Sequence, residues 1–244
     1  NNHWHAPYGI AIDTNENSRE EVLSKVLEGI SRSLSRPYLR VEIVGLNGCG
    51  KSTLIRNLSE CNPNFLSTLS LKRHYILIFK NLLLHSWMLF SILRKTRELR
   101  MVRVFLHYKI SMGVIRRWNA QSHYLNADLI LDQGPVFHLS LARKEQLFDM
   151  VVSAKDMAHI KRCLQYIFEM EASVEVLYRR VRERPKQSGR AQFLNAVEFN
   201  QFCYEYNEAF SVVNDLNIPS SKINTDNVTP AEVLQQFNEA VKNG

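Results

Sequence analysis

Lys51 follows the last glycine of Gly45-Leu46-Asn47-Gly48-Cys49-Gly50-Lys51-Ser52-Thr53, a spacing that predicts a loop built to grip phosphate. Glycine, four free positions, glycine, lysine and a hydroxyl residue let successive main-chain N–H groups turn inward on an anion. The helix expected to open at Ser52 adds its partial positive end. Lys51 is expected to reach the β- and γ-phosphates of a nucleoside triphosphate, and the Ser52 hydroxyl to ligate Mg²⁺. Asn47, Gly48, Cys49, Gly50 and Thr53 complete the expected nucleotide contacts. A thiol at Cys49, inside this nest, is expected to alkylate in the absence of nucleotide and to be shielded by ATP.

Three further groups could do chemistry. Arg179, Arg180, Arg182, Arg184, Lys186 and Arg190 form an arginine-rich segment, with Arg180 and Arg184 on one helix face and Leu177 and Val181 on another. Guanidinium groups closing over a transferring phosphoryl group would neutralise its oxygens and exclude water. Asp132 ends an apolar run and is a candidate general base or Mg²⁺ partner, or else a cap for the helix after Pro135. Asp128 is expected on the flank of that strand, and Glu169 in a structural role. His107, His123 and His138 lack metal-ligand spacing, which favours structural roles.

The charge is unevenly placed. Net charge is +7, yet Lys72 to Arg117 carries eleven cations against Glu98 alone, leaving the rest of the chain net negative. An anionic partner for that segment follows, with Arg94, Arg97, Arg116 and Arg117 as candidates to hold its charge.

These residues need elements to place them. Leu39-Arg40-Val41-Glu42-Ile43-Val44 reads as a strand and Ser52–Leu58 as a helix, so the glycine loop sits between strand and helix as its chemistry requires. Ser18-Arg19-Glu20-Glu21 predicts a capped leading helix that ends before Pro37. Tyr75–Leu93 is nearly all apolar, but Lys80, Asn81 and His85 argue against a membrane span and for a buried or interfacial helix. A basic helical region over 94–124 follows. A strand over Leu125–Asp132 precedes a helix opened by Gly134-Pro135. Gln165–Met170 predicts another strand and Ser173–Arg184 a helix. Phe199, Cys203, Tyr206, Phe210 and Val213 mark a long amphipathic helix. A short strand near Ile223 leads into the capping box Thr229-Pro230-Ala231-Glu232. Strands alternating with helices predict a parallel sheet covered on both faces.

Here the chain resembles the phosphate-loop kinases of the thymidylate kinase and nucleoside-monophosphate kinase group. The resemblance rests on Gly45–Thr53, on Leu131-Asp132, on Phe168-Glu169-Met170-Glu171 leading into Tyr178–Arg184, and on Ile223-Asn224-Thr225 before Thr229–Val233. It implies a three-layer α/β fold with ATP and Mg²⁺ as cofactors. It also implies a strand-end carboxylate (Asp132) near acceptor or metal, an arginine lid over 178–192, and a final strand-to-helix loop at Asn224 touching the adenine. The implied catalytic set is Lys51, Asp132, Arg180 and Arg184. The chain departs from the group in two places. Asp132 is followed by Gln133-Gly134-Pro135 rather than Arg, and the apolar run with its basic flank occupies the acceptor region, suiting an acceptor with apolar bulk and an anionic group.

Transporter ATPases need a Leu-Ser-Gly-Gly-Gln signature and guanine-nucleotide switches an Asn-Lys-x-Asp motif, and neither is present. The expectation is therefore a kinase of small molecules. A nucleotide-driven module or ATPase acting on nucleic acid or an anionic membrane is the alternative. Residues 1–36 are expected to form a tail and helix, and 37–244 one kinase-like domain with a helical acceptor region over 72–124. Four cysteines without paired spacing, and no visible cleavable leader, lead to the expectation of a cytoplasmic protein. A homodimer and peripheral membrane contact stay open.

Overall fold

The computed structural model describes residues 39–61, 65–67, 75–125, 128–184 and 190–243. The leading helix expected from Ser18, the cations Lys72 and Arg73, and residues 185–189 of the arginine-rich segment lie outside these.

The core is a parallel sheet in the order β2-β3-β1-β4-β5. Its strands are β1 (Arg40–Gly45), β2 (Phe65–Ser67), β3 (Asp128–Asp132), β4 (Tyr166–Glu171) and β5 (Ser220–Asn224). Central β1 pairs with β3 on one side (Ile43 opposite Asp132) and β4 on the other (Gly45 opposite Met170). Its β-branched run is buried from Val41 to Gly45, as a strand covered on both faces must be. The register places the loop after β1 beside the carboxyl ends of β3 and β4, where ligands bind in open α/β sheets.

Helix α1 (Lys51–Cys61) packs with the final helix α11 (Pro230–Asn243). Between β2 and β3 run α2 (Tyr75–Leu84), α3 (Ser86–Thr96) and the long α4 (Leu99–Leu125). After β3 come α5 (Pro135–Lys144), the short α6 (Phe148–Val151) and α7 (Ala154–Cys163); after β4 come α8 (Val174–Arg182), α9 (Ala196–Phe210) and α10 (Val212–Leu216). Helix α5 packs against α4, α9 and α10. The main core joins Ile43, Val44, Leu54, Tyr108, Leu131, Phe168, Phe199 and Phe237; a second cluster of Ile92, Met101, Phe105, Ala142, Leu147 and Val151 fastens α3 and α4 to α5 and α6.

Three expectations change. The single helix over Tyr75–Leu93 is two, interrupted at His85, whose ring packs edge-on against buried Phe105 at 5.5 Å. Nor is that run buried: Phe79, Leu83, Leu84, Trp87 and Phe90 face outward, and only Ile92 of α3 is fully enclosed. The strand expected from Leu125 begins at Asp128, because α4 continues through Leu125. No helix among the described residues is long and apolar enough to cross a membrane.

Candidate functional site

The glycine loop is held open by conformations few other residues tolerate. Gly45 has φ 146° and a Cβ there would lie 2.1 Å from the Met170 carbonyl; Gly48 has φ 101° and a Cβ would press on Leu177 and Val181 of α8. Between them the chain turns tightly, and Thr53 and Leu54 N–H donate to the Gly50 carbonyl as α1 begins. Lys51 is buried, and its Nζ donates to the carbonyls of Gly45 (2.7 Å) and Leu46 (2.9 Å), so the ammonium sits in the concavity of the loop. Ser52 is exposed at the helix start. Cys49 is fully buried, with Sγ 3.7 Å from Lys51 Nζ. That enclosure reverses the expectation of easy alkylation, since a thiol without solvent access meets no reagent.

Asp132 ends β3 within electrostatic reach of Lys51. Its Oδ1 is buried and lacks a hydrogen-bond partner among the described residues. Burial raises its pKa and Lys51 partly offsets the rise. The carboxylate does not cap α5, because Glu42 does. Glu42 is wholly buried in β1, and its Oε2 and Oε1 accept from Val136 N (2.9 Å) and Phe137 N (2.8 Å). Burial lifts its pKa to about 8, against the pull of those two N–H groups and with a further push from Asp132. Gly134 leaves room for it: a Cβ there would lie 2.7 Å from Glu42 Oε2. Sequence reading missed Glu42, although a lone carboxylate inside the run Val41–Val44 is a visible signal, because buried charges need partners.

On the other side of the loop lies a cavity of about 320 Å³, lined by Gly48, Cys49, Gly50, Thr53, Arg180 and Arg184 and closed by Met170, Thr225, Val228, Pro230 and Val233. That is near the lower end of the range for small-molecule sites. The apolar wall comes from the β5–α11 connection and the first turn of α11, within the stretch from Ile223 to Val233 that carries the resemblance. Asn224 itself is exposed and accepts from Asp226 N at 2.8 Å, shaping the turn. Arg180 donates to Thr225 Oγ1 (3.0 Å), Thr225 O (2.6 Å) and Gly48 O (3.4 Å), bridging that connection to the glycine loop. Arg184 lies just past the end of α8, exposed at the rim, and Arg179 is exposed on the helix.

The basic segment is partly neutralised from within. Asp156, at the start of α7, accepts from Lys109 (2.9 Å) and Arg116 (3.3 Å). Burial pushes its pKa up, but Lys109 and the Ser153 cap outweigh that and hold it below the usual carboxylate value. Arg116 therefore has an internal counter-charge while half its side chain stays exposed. Arg97 caps α3 in a left-handed conformation and Arg94 is exposed; the side chains of Arg117 and His123 lie outside the description. Asp128 is buried and accepts from Leu39 N, and Glu169 pairs with Lys222 at 3.6 Å. His107 and His138 meet edge to face at 5.5 Å, and burial keeps both neutral, His138 down to about 3. No cluster able to hold a metal through three His, Cys, Asp or Glu side chains occurs among the described residues.

This geometry has known counterparts in fold. A deoxyadenosine kinase from M. mycoides, solved with bound dATP, superposes with a TM-score of 0.52 at 12% identity, over 84% of this chain and 100% of that one. A shikimate kinase from Bacteroides thetaiotaomicron gives 0.49 at 13% identity, over 84% and 98%. No protein-family model matches the chain, and no curated protein is similar to it at a significant level. The fold shared with that deoxyadenosine kinase is a three-layer α/β arrangement: a parallel sheet between helical layers, with the glycine loop at the carboxyl end of its central strand.

Proposed function

We propose that this chain is a P-loop kinase of the thymidylate kinase and nucleoside-monophosphate kinase type, moving the γ-phosphoryl group of ATP to a hydroxyl or phosphate oxygen of a small molecule. The observation that carries the reading is a pair at the carboxyl end of the sheet: the Lys51 ammonium, held on the loop carbonyls, lies within electrostatic reach of Asp132, whose buried Oδ1 has no partner among the described residues.

In this scheme adenine occupies the cavity between Arg180 and the wall of Val228, Pro230 and Val233. The triphosphate lies along the N–H groups of Gly48–Thr53, with Lys51 leaving the Gly45 and Leu46 carbonyls for the β- and γ-oxygens. Ser52 and Asp132 fit Mg²⁺, because a free hydroxyl at the helix start and an orphaned carboxylate oxygen are the hard ligands that ion takes. When bound, Mg²⁺ supplies neutralisation of the β- and γ-phosphate charge. Asp132 orients the acceptor hydroxyl and receives its proton, while Arg184, and Arg179 beside it, close over the transferring group. Residues 37–244 act as one domain, with 178–192 as the lid and 72–124 framing the acceptor.

The test is a screen of nucleosides, nucleotides, sugars and lipid alcohols with labelled ATP, followed by Asp132→Asn on the acceptor found. Transfer should fall by about a hundredfold or more while ATP binding persists, because general-base contributions run to ~10²–10⁴. Transfer unchanged in the variant would reduce Asp132 to a structural role and remove the basis of the proposal.

A further inference from the structure

Helix α3 is apolar on both of its sides. Met88, Leu89 and Ile92 pack inward on Phe105 and Met101, which accounts for its attachment to α4. Yet Trp87 is 80% exposed and Phe90 58%, and the end of α2 adds Phe79, Leu83 and Leu84 at about two-thirds exposed. Trp87 and Phe90 lie 6.3 Å apart, ring to ring, on α3, and α2 packs beside α3 across the turn at His85. Soluble surfaces rarely leave several large apolar side chains contiguous and bare unless something covers them.

The charges around the patch point to what covers it. From Tyr75 to Arg97 the chain has no Asp or Glu, while Lys80, Arg94, Lys95 and Arg97 are exposed beside the apolar residues. A second copy of the chain would bring this cationic set against itself across a twofold axis, which is repulsive. A nucleic acid would answer the cations but leave the leucines uncovered. An anionic lipid surface answers both. Aromatic and aliphatic side chains enter the headgroup boundary, and lysine and arginine remain level with the acidic headgroups.

The helices are too short to do otherwise: ten and eleven residues give roughly 15 Å each, about half the hydrocarbon thickness. We infer that the outward face of α2 and α3 docks the protein in the plane of an anionic lipid bilayer, with Trp87 and Phe90 inserted and Arg94 and Lys95 on the headgroups. The inference is independent of the phosphoryl acceptor.

The test uses the full chain with vesicles of phosphatidylcholine, with and without phosphatidylserine. Binding should be at least about tenfold stronger to the mixed vesicles and fall with salt, as several lysines and arginines each contribute about fivefold near such a surface. Brominated lipid should quench tryptophan fluorescence, and Trp87→Phe should remove the quenching while binding persists. The double variant Trp87→Ser/Phe90→Ser should lose binding to both vesicle types. Arg94→Glu/Lys95→Glu should lose only the preference for phosphatidylserine. Both pairs are exposed, and unchanged thermal melting separates loss of docking from loss of fold. No partition of the wild type onto phosphatidylserine vesicles overturns the inference. So does a dimer in sedimentation that Trp87→Ser/Phe90→Ser dissociates without vesicle binding, or an oligonucleotide that binds in place of lipid.

Discussion

Arg180 of α8 grips Thr225 at the end of β5, donating to its hydroxyl at 3.0 Å and to its carbonyl at 2.6 Å. Thr225 in turn donates to the Glu171 carbonyl at 3.1 Å, so this side of the cavity is tied to β4 through one arginine and one threonine. The sequence reading treated Arg180 as a lid group that reaches phosphate. In the structure its guanidinium also ties Thr225 to the Gly48 carbonyl, as a strut would.

If Arg180 is a strut, Arg180→Ala should weaken nucleotide binding more than it slows transfer. Hydrogen bonds to a charged group are worth about 1.5–3 kcal/mol, so ATP affinity measured by calorimetry should drop roughly tenfold to a hundredfold. Thr225→Val removes two bonds, the one accepted from Arg180 and the one donated to the Glu171 carbonyl, and should cost about tenfold or more. A variant whose kcat falls while ATP affinity holds would place the guanidinium on the phosphoryl group instead.

Glu42 predicts an unusual dependence of stability on pH. Its folded pKa of about 8 lies above the ordinary 4.5, so folding takes up a proton between those values. Its contribution is complete below about pH 4.5 and fades as pH rises towards 8. Chemical denaturation should show wild-type stability falling in this window by up to about 1.4 kcal/mol per pH unit from this group. Glu42→Gln should flatten that slope while costing about 1–3 kcal/mol near neutrality, because an amide can satisfy only one of the Val136 and Phe137 N–H groups. Parallel curves for the two proteins would show that Glu42 does not hold its proton.

Gly45 is fixed by its neighbour rather than by phosphate. A methyl group 2.1 Å from the Met170 carbonyl forces β1 away from β4. Gly45→Ala should destabilise the protein by about 3 kcal/mol or more, a drop of roughly 6–12 °C in Tm by calorimetry. A melting point within two degrees of wild type would mean that the two strands can part there cheaply.

Asp156 gives the opposite pH sign from Glu42. Its folded pKa is depressed, so the stability it confers is present above about 4 and lost as pH falls through the folded value. Asp156→Ala leaves part-buried Lys109 without its partner and removes the carboxylate half of the capping box of α7, which should cost about 2–4 kcal/mol at pH 7. Arg116, half exposed, adds little. The gap between variant and wild type should shrink as pH falls below the ordinary carboxylate value; a constant gap would assign the loss to packing alone.

The sequence alone determined the loop, the strand before it and the helix after it. Glycine spacing and β-branched runs are local constraints that act wherever the chain goes, and so the parallel three-layer fold was legible from Gly45–Thr53 and the alternation that follows. Capping boxes at Thr229 and proline at the start of α5 were legible for the same reason. What only tertiary structure decided is which buried polar and charged groups meet. Glu42 lies 94 positions from the Val136 amide it holds, Asp156 lies 47 from Lys109, and Arg180 lies 45 from Thr225. Spacing carries no information about such pairs, because a buried charge is stabilised by whatever the fold brings within 3 Å. The bare aromatic face of α2 and α3 belongs to the same class: the sequence shows an apolar run, but only the packing of Ile92 and Phe105 decides which side is left to solvent.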